Sequence, residues 1–514
     1  MLDIKNTLIG SSAKNDILSG IVVAVALVPE AVAFSIIAGV SPLVGLYTAF
    51  IIGLITAIIG GKAGMISGAT GAIAVVLVGL GIKVKETLSI SELELLSANG
   101  ELGNFILQYI LLATILAGLI QITIGVFKLG KLIRLVPQPA MYGFVNGLAI
   151  VIAMAQFPLF ENEGLIMYAL VIGTMIIVQF FPKISKAIPA GLVAIVVISC
   201  IVIFADLDTK RVGDLADISG SLPSFALPTL HVNFESIMVV LPYAVLVALV
   251  GLIESLLTLS VLDEMGGKRG SGNQECVAQG IGNVTCGFFG GMAGCAMIGQ
   301  SIINFSNGGW GRLSAITAAA LLITFVVALS DFISLIPVAV LVGIMFMVSI
   351  GTFEWESAHR FKHMPNSDKF VLAAVTIITI FADLAIAVIT GIIISALVFA
   401  WKHSKVRSRV YRDGDDTKIY EFDGPLFFGS TTSFFELFDL KHDPKLVILD
   451  FKDARVMDIS GVEAIDSITK KYKEAGKELS IRHLSEDCKK ILKDAGPFCE
   501  YNENDPNYKV AINY

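Results

Sequence analysis

Charge is scarce in this chain. Lys, Arg, Asp and Glu make up 16% of the 514 residues, against roughly 25% in soluble proteins, and the mean hydropathy is +0.78. That balance excludes an ordinary soluble enzyme and implies a polytopic membrane protein. The formal charge of -7 is thinly spread, with no polybasic tail suited to nucleic acid. No G-x-x-x-x-G-K-S/T occurs, which removes the simplest ATP-driven reading and leaves an ion gradient as the expected energy source. The six cysteines form no C-x-x-C pair, so neither a disulfide nor a metal is expected. No Ser–His–Asp or paired-carboxylate arrangement is visible among the few histidines and acids. No catalytic residue is expected, and no cofactor other than a coupling ion.

What is present is apolar sequence in long runs. With about 17 to 25 apolar residues per full span, and shorter segments where Gly or Pro intervenes, about fourteen segments lie between Ile17 and Trp401. The first reads as a retained helix, because the next span follows almost at once. Basic residues collect on alternate connections, as at Lys128, Lys131 and Arg134, while others are acidic, as at Glu161 and Glu163. Since Lys and Arg accumulate on cytoplasmic loops, the N-terminus and everything after Trp401 are expected inside the cell, with the chain multi-pass in the inner (plasma) membrane.

After Trp401 the apolar runs shrink to strand length. Lys418–Phe422, Pro425–Phe428, Leu446–Asp450 and Glu478–Leu484 read as strands, and Thr432–Asp439, Gly461–Ala475 and Ser485–Ala495 as helices. This alternation predicts a small α/β domain, giving a membrane domain over 1–402 and a cytoplasmic one over 403–514.

Two segments are too glycine-rich for ordinary membrane helices: Gly290–Ser301 and Ser67–Ala72. Gly68 lies 51 residues after Ile17, and Gly294 lies 58 after Ser236, so the breaks occupy similar places in two seven-span halves. Seven is odd, so the halves run in opposite directions. Paired broken segments in inverted repeats point to a transporter site at the bilayer midplane, where non-helical backbone is tolerated only if it lines a cavity or is buried in protein. Facing half-helix N-termini there would offer N–H groups to an anion. Close helix packing is the plainer reading of the same glycines.

Pro29–Phe34 with Ala38–Tyr47, then Gly251–Leu257, Asn273–Gly282 and Phe289–Gly291, resemble in order the signatures of the SulP (sulfate permease) anion transporters, relatives of prestin and pendrin. Gly424–Gly429 and Asp458–Gly461 are similar to the family's STAS module. The resemblance implies a seven-plus-seven inverted repeat with core and gate parts, an elevator-like movement, a homodimer, and an anion held between the third and tenth helices. It also implies a coupling role for Glu254. In sodium-coupled bicarbonate members an acid and a hydroxyl one turn later hold Na⁺, and here these are Glu254 and Thr258. Three positions depart from the family pattern: Gln300 stands where many members have Arg, Glu30 where Gln is usual, and Ile459 where related anti-sigma antagonists carry a phosphorylated Ser.

On this reading the anion meets the N–H groups of Thr70, Gly71 and Ala72 and of Ile298, Gly299, Gln300 and Ser301, with the Thr70, Gln300 and Ser301 side chains as further donors. A Na⁺ ion takes the Glu254 carboxylate, the Thr258 hydroxyl and carbonyls near Met297 and Gln300; a proton needs only Glu254. Thr258 alone is equally an ordinary back-bonding helix threonine, and Glu30 either lines the cavity or sits at a loop edge. With Gln300 neutral, Glu254 leaves the pocket at net −1 and repels an entering anion until a cation arrives. The expected activity is cation-coupled uptake of bicarbonate or sulfate, Na⁺ favoured over H⁺. Alternatives are a dicarboxylate or nucleobase permease of the same fold, or an uncoupled anion channel or STAS-linked sensor.

Overall fold

The computed structural model describes residues 8–495 except 11, 131–136, 162, 186–188, 216–220, 228–233, 268, 329, 382–383, 403–405 and 415. The basic loop residues Lys131 and Arg134 lie outside the described residues. The chain divides into two compact units, Met1–Ile392 and Ile393–Tyr514.

Fourteen helices take the places of the fourteen expected segments. They are α1 (Ala13–Ile37), α2 (Pro42–Ile59), α3 (Gly71–Thr87), α4 (Leu102–Val126), α5 (Gln138–Met154), α6 (Leu165–Phe180), α7 (Ala190–Phe204), α8 (Phe234–Gly266), α9 (Gly272–Phe288), α10 (Ile298–Ser306), α11 (Arg312–Ala328), α12 (Val338–Thr352), α13 (Asn366–Phe381) and α14 (Leu384–Lys402). Among the described residues six are long and apolar enough to cross a membrane unaided, α1, α2, α4, α5 and α6 with their short extensions, and α8; α12 makes a seventh if joined to the helix Trp355–His363, bent from it by 43°. The shortest is α10. It starts after a two-residue strand, β2 (Cys295–Ala296), just as α3 follows β1 (Ser67–Gly68), so each is a part-span beginning inside the bundle. The glycine-broken segments thus leave the helical ladder and pair antiparallel, Ser67 with Ala296 and Gly68 with Cys295. Each strand supplies partners for the other's backbone, which no helix satisfies there.

The packing repeats at an offset of seven helices. The contact of α4 with α9 recurs as α11 with α2, α1 with α11 as α8 with α4, α3 with α8 as α10 with α1, and α5 with α13 as α12 with α6. Helices α1–α4 and α8–α11 form one bundle, α5–α7, α12 and α13 pack as a second, and α1 and α3 meet the latter through α5, α7 and α12. The α4–α9 contact depends on glycines: a methyl on Gly118 would come 2.6 Å from the Gly280 carbonyl oxygen, and one on Gly280 equally close to that of Gly118. At the C-terminus of α9, Gly290 takes φ +75 and the Gly291 N–H reaches back to Cys286 O at 2.8 Å. This is a Schellman stop, and it turns the chain into the strand crossing.

The second unit carries a four-stranded sheet in the order β3 (Arg407–Arg412), β4 (Thr417–Leu426), β5 (Leu446–Val456), β6 (Glu478–Arg482), with β3 antiparallel to β4 and the others parallel. Helices α15 (Thr431–Phe435), α16 (Ile459–Glu474) and α17 (Glu486–Ala495) complete it. Phe422, Phe434, Phe451, Ile465 and Tyr472 fill the core. Three details differ from the sequence reading. The two strands expected over 418–428 are one, with a register shift between Glu421 and Asp423; α15 is shorter than expected; and β3 had no apolar run to announce it, being an exposed, arginine-rich edge. Cross-strand pairing sets Arg407 opposite Asp423 and Arg409 opposite Glu421, which balances that edge. Beneath the sheet the buried Asp443 carboxylate accepts from Lys418, Tyr420 and Tyr472. Burial, then the bond to Asp443, holds the Tyr472 hydroxyl above the ordinary phenol range.

Candidate functional site

Local sequence sets the frame. Thr70 and Met297 are the extended residues preceding α3 and α10, and neither side chain caps its helix. The first helical N–H bonds are Ala74 to Thr70 O and Ser301 to Met297 O, both 3.0 Å. Gly71, Ala72 and Ile73 on one side, and Ile298, Gly299 and Gln300 on the other, therefore carry the first-turn N–H groups that an α-helix leaves without intrahelical partners. The two turns differ in access. A methyl on Gly71 would meet Ile152 and Phe34 at 2.8 and 3.0 Å, whereas one at Gly299 would meet nothing within 4 Å. Ile298 and Gly299 are exposed, and Thr70, Gly71 and Ala72 are buried.

Glu254, in the middle of α8, is half-buried against the crossing. Its Oε2 accepts from Cys295 Sγ at 2.8 Å, and Thr70 Oγ1 lies 3.3 Å from the same sulfur. Sequence reasoning gave Cys295 no role. The only cue was its place inside the second glycine-broken segment, next to Gly294. Thr258 is fully buried and donates to Glu254 O at 2.8 Å, the back-bond of an ordinary helix threonine; its hydroxyl oxygen lies one turn beyond the carboxylate.

Glu30 lines the bundle interior from α1 rather than a loop edge, and its Oε1 accepts from Gln300 Nε2 at 2.8 Å. The expected side-chain donors are therefore engaged differently. The Gln300 amide nitrogen is turned to Glu30, and the Ser301 hydroxyl accepts from Ile66 N at 3.0 Å, fixing the entry to β1. With the Ser301 N–H spent inside α10, the donors toward an anion at this end reduce to the backbone of Ile298, Gly299 and Gln300. The side-chain hydroxyl and amide serve the scaffold instead, because buried polar groups next to bare backbone take the nearest partners.

A second group that sequence reading passed over holds the crossing in place. Glu275, Gln279 and Asn283 recur every four residues on α9, all buried. Asn283 grips Gly294 on both sides, Oδ1 accepting its N–H at 2.8 Å and Nδ2 donating to its carbonyl at 3.1 Å. Gln279 reaches Ser67 Oγ at 2.9 Å, and Glu275 accepts from Gly61 N at 2.7 Å. From the opposite side Ser255 Oγ accepts from Ala296 N at 3.1 Å. The i, i+4, i+8 spacing of polar residues inside an apolar span was the available signal.

Comparison with known proteins fits this geometry. The model of the sulfate permease family matches residues 14–162 and 163–375, and that of the STAS domain residues 409–505. A putative sulfate transporter of Bacillus subtilis is 42% identical over 93% of this chain and 96% of its own length. The transmembrane domain of a cyanobacterial bicarbonate transporter, BicA, superposes with a TM-score of 0.64 at 29% identity, covering 74% of this chain and 99% of that one. The murine Slc26a9 anion transporter in its inward-facing state shares the fold at a TM-score of 0.83 and 16% identity, over 96% of this chain and 89% of that one. With the permease model spanning most of the membrane unit and the STAS model most of the second, the chain belongs to the sulfate permease family, as an anion transporter with a C-terminal STAS domain.

Proposed function

We propose that the protein takes up a small inorganic anion, bicarbonate or sulfate, by symport with a cation, Na⁺ in preference to H⁺. The observation that carries the reading is Glu254, a carboxylate set beside the start of α3 and the strand crossing. Its side-chain partner is the Cys295 thiol, which Thr70 in turn meets, and not a cationic group. Two half-helix N-termini attract an anion; a carboxylate between them repels it unless a cation or proton neutralises the charge. The substrate pair follows from the names of the relatives, sulfate for the Bacillus protein and bicarbonate for BicA.

The Na⁺ ligands in this reading are the Glu254 carboxylate, the Thr258 hydroxyl and backbone carbonyls near Met297 and Gln300, a set of hard oxygen donors. The anion takes the N–H groups of Gly71 and Ala72 and of Ile298 to Gln300, with Thr70 beside them. The bundle α1–α4 with α8–α11 carries both half-helices and moves as the core, elevator-like, against the second bundle. The assembly is a homodimer with the STAS domain in the cytoplasm. Uptake of labelled bicarbonate and of sulfate into proteoliposomes, with and without Na⁺ or pH gradients, tests the proposal. Gradient-dependent accumulation of one anion supports it, and equal uptake without either gradient overturns it.

A further inference from the structure

Glu254 has a counterpart. Under the seven-helix offset α1 corresponds to α8 and α3 to α10, as the recurring contacts show. Glu254 on α8 meets Thr70 at the start of α3 through the Cys295 thiol, and Glu30 on α1 touches Gln300 in the first turn of α10, at 2.8 Å. Each half-helix N-terminus therefore has its own carboxylate, delivered by the corresponding helix of the other repeat.

Among the described residues of the helices around them, no fixed cation balances the pair. The basic residues on the four helices that build the pocket are Lys14, Lys83 and Lys85. At 1.5 Å per residue Lys14 lies about 24 Å from Glu30 along α1, and Lys83 about 18 Å from Gly71 along α3. The helices packed on α1 add Tyr47, Arg312, Glu86 and Cys200 as ionisable groups, besides those lysines. Arg312 is spent on the carbonyls of Ala57 and Gly60 at 2.9 and 2.8 Å. Beside Glu30, the Oε1 of Gln300 is a buried acceptor with no hydrogen-bond partner, on a side chain only 4% exposed. An orphaned buried acceptor costs folding free energy until it finds a donor or a cation. A cation shared with Glu30 would satisfy it.

We propose that Glu30 and Gln300 Oε1 hold a second Na⁺ ion, so that each cycle carries two positive charges with one anion. The inference rests on the coupling role of Glu254 and adds an equivalent site across the pseudo-twofold axis. It also accounts for two departures from the family pattern at once, since Glu at 30 and Gln at 300 are partners.

The test is the equilibrium accumulation of labelled bicarbonate and sulfate by the full-length protein in proteoliposomes, with the membrane potential clamped at zero and a tenfold inward gradient of Na⁺ or of H⁺ applied separately and together. Two coupled cations give about 100-fold accumulation and one gives about tenfold; the separate gradients show which ion Glu254 takes. Glu30→Gln, which restores the residue usual in the family, should lower the ratio to about tenfold, and Gln300→Arg, which supplies a fixed cation to Glu30, should do the same. A wild-type ratio near tenfold, or one near 100-fold that both variants leave unchanged, overturns the second site. Accumulation without any gradient would instead overturn the coupling reading itself, and a tenfold ratio abolished by Glu254→Gln but indifferent to Glu30→Gln would overturn this inference alone.

Discussion

The two half-helix ends at the centre of the membrane unit share their topology and differ in access. At α3 the turn is roofed by Phe34 and Ile152, and its neighbouring carboxylate is held by a thiol. At α10 the turn opens at Ile298 and Gly299, and its carboxylate is held by an amide with one unused oxygen. An inverted repeat supplies the same parts twice; side chains then make one end closed and the other open. The lesson is that the donors on the two sides are not equivalent: those of α3 are buried and those at the start of α10 are exposed.

Breaking the closed side should cost most. Glu254→Ala is expected to lower gradient-driven uptake at least ~100-fold in proteoliposomes, since the cation loses its charged ligand. Next comes the crossing. Gly294 lies directly on the Gly68 carbonyl, so a side chain there must push β1 and β2 apart. Gly294→Ala should cost about 1–3 kcal/mol of stability, read as a lower melting temperature in detergent, whereas Gly299→Ala on the open side should stay within about 0.5 kcal/mol of wild type. Equal losses at the two glycines would erase the distinction between the ends. On the open side, Gln300→Arg should weaken the cation dependence of uptake by roughly tenfold, as expected where one bound charge is replaced by a fixed one. The smallest effect concerns how Glu254 is held. Cys295→Ala removes a donor from its carboxylate and should shift the half-saturating cation concentration by up to about tenfold, while Cys295→Ser, which keeps a donor, should lie near wild type. A serine variant as impaired as the alanine one would show that Cys295 acts through packing instead.

Much of this arrangement was legible before any coordinates. Long apolar runs located the fourteen helices, and glycine clusters at matching depths in the two halves located the crossing, because both signals are local and survive in one dimension. The STAS strands β5 and β6 and the helix α16 were legible for the same reason. What was hidden depends on partners far along the chain. That Gln300 would turn its amide to Glu30, 270 residues away, follows only from how α10 enters α1's surface. Cys295 carried no motif, and its thiol matters only because β2 sets it against α8. The edge strand β3 lacked a pattern because its alternating arginines face cross-strand acids rather than a core.

The pairing of β1 with β2 also sets a schedule. Ile66 N–H must find Ser301 Oγ 235 residues later in the chain, so at about 5–20 residues per second the first strand waits roughly 10 to 50 seconds for its partner during synthesis. Throughout that interval the first repeat stands in the bilayer with its broken helix unpaired. The crossing thus waits for the second repeat, and a chaperone or insertase that shields Ser67–Thr70 until that repeat arrives would protect backbone that lipid cannot satisfy.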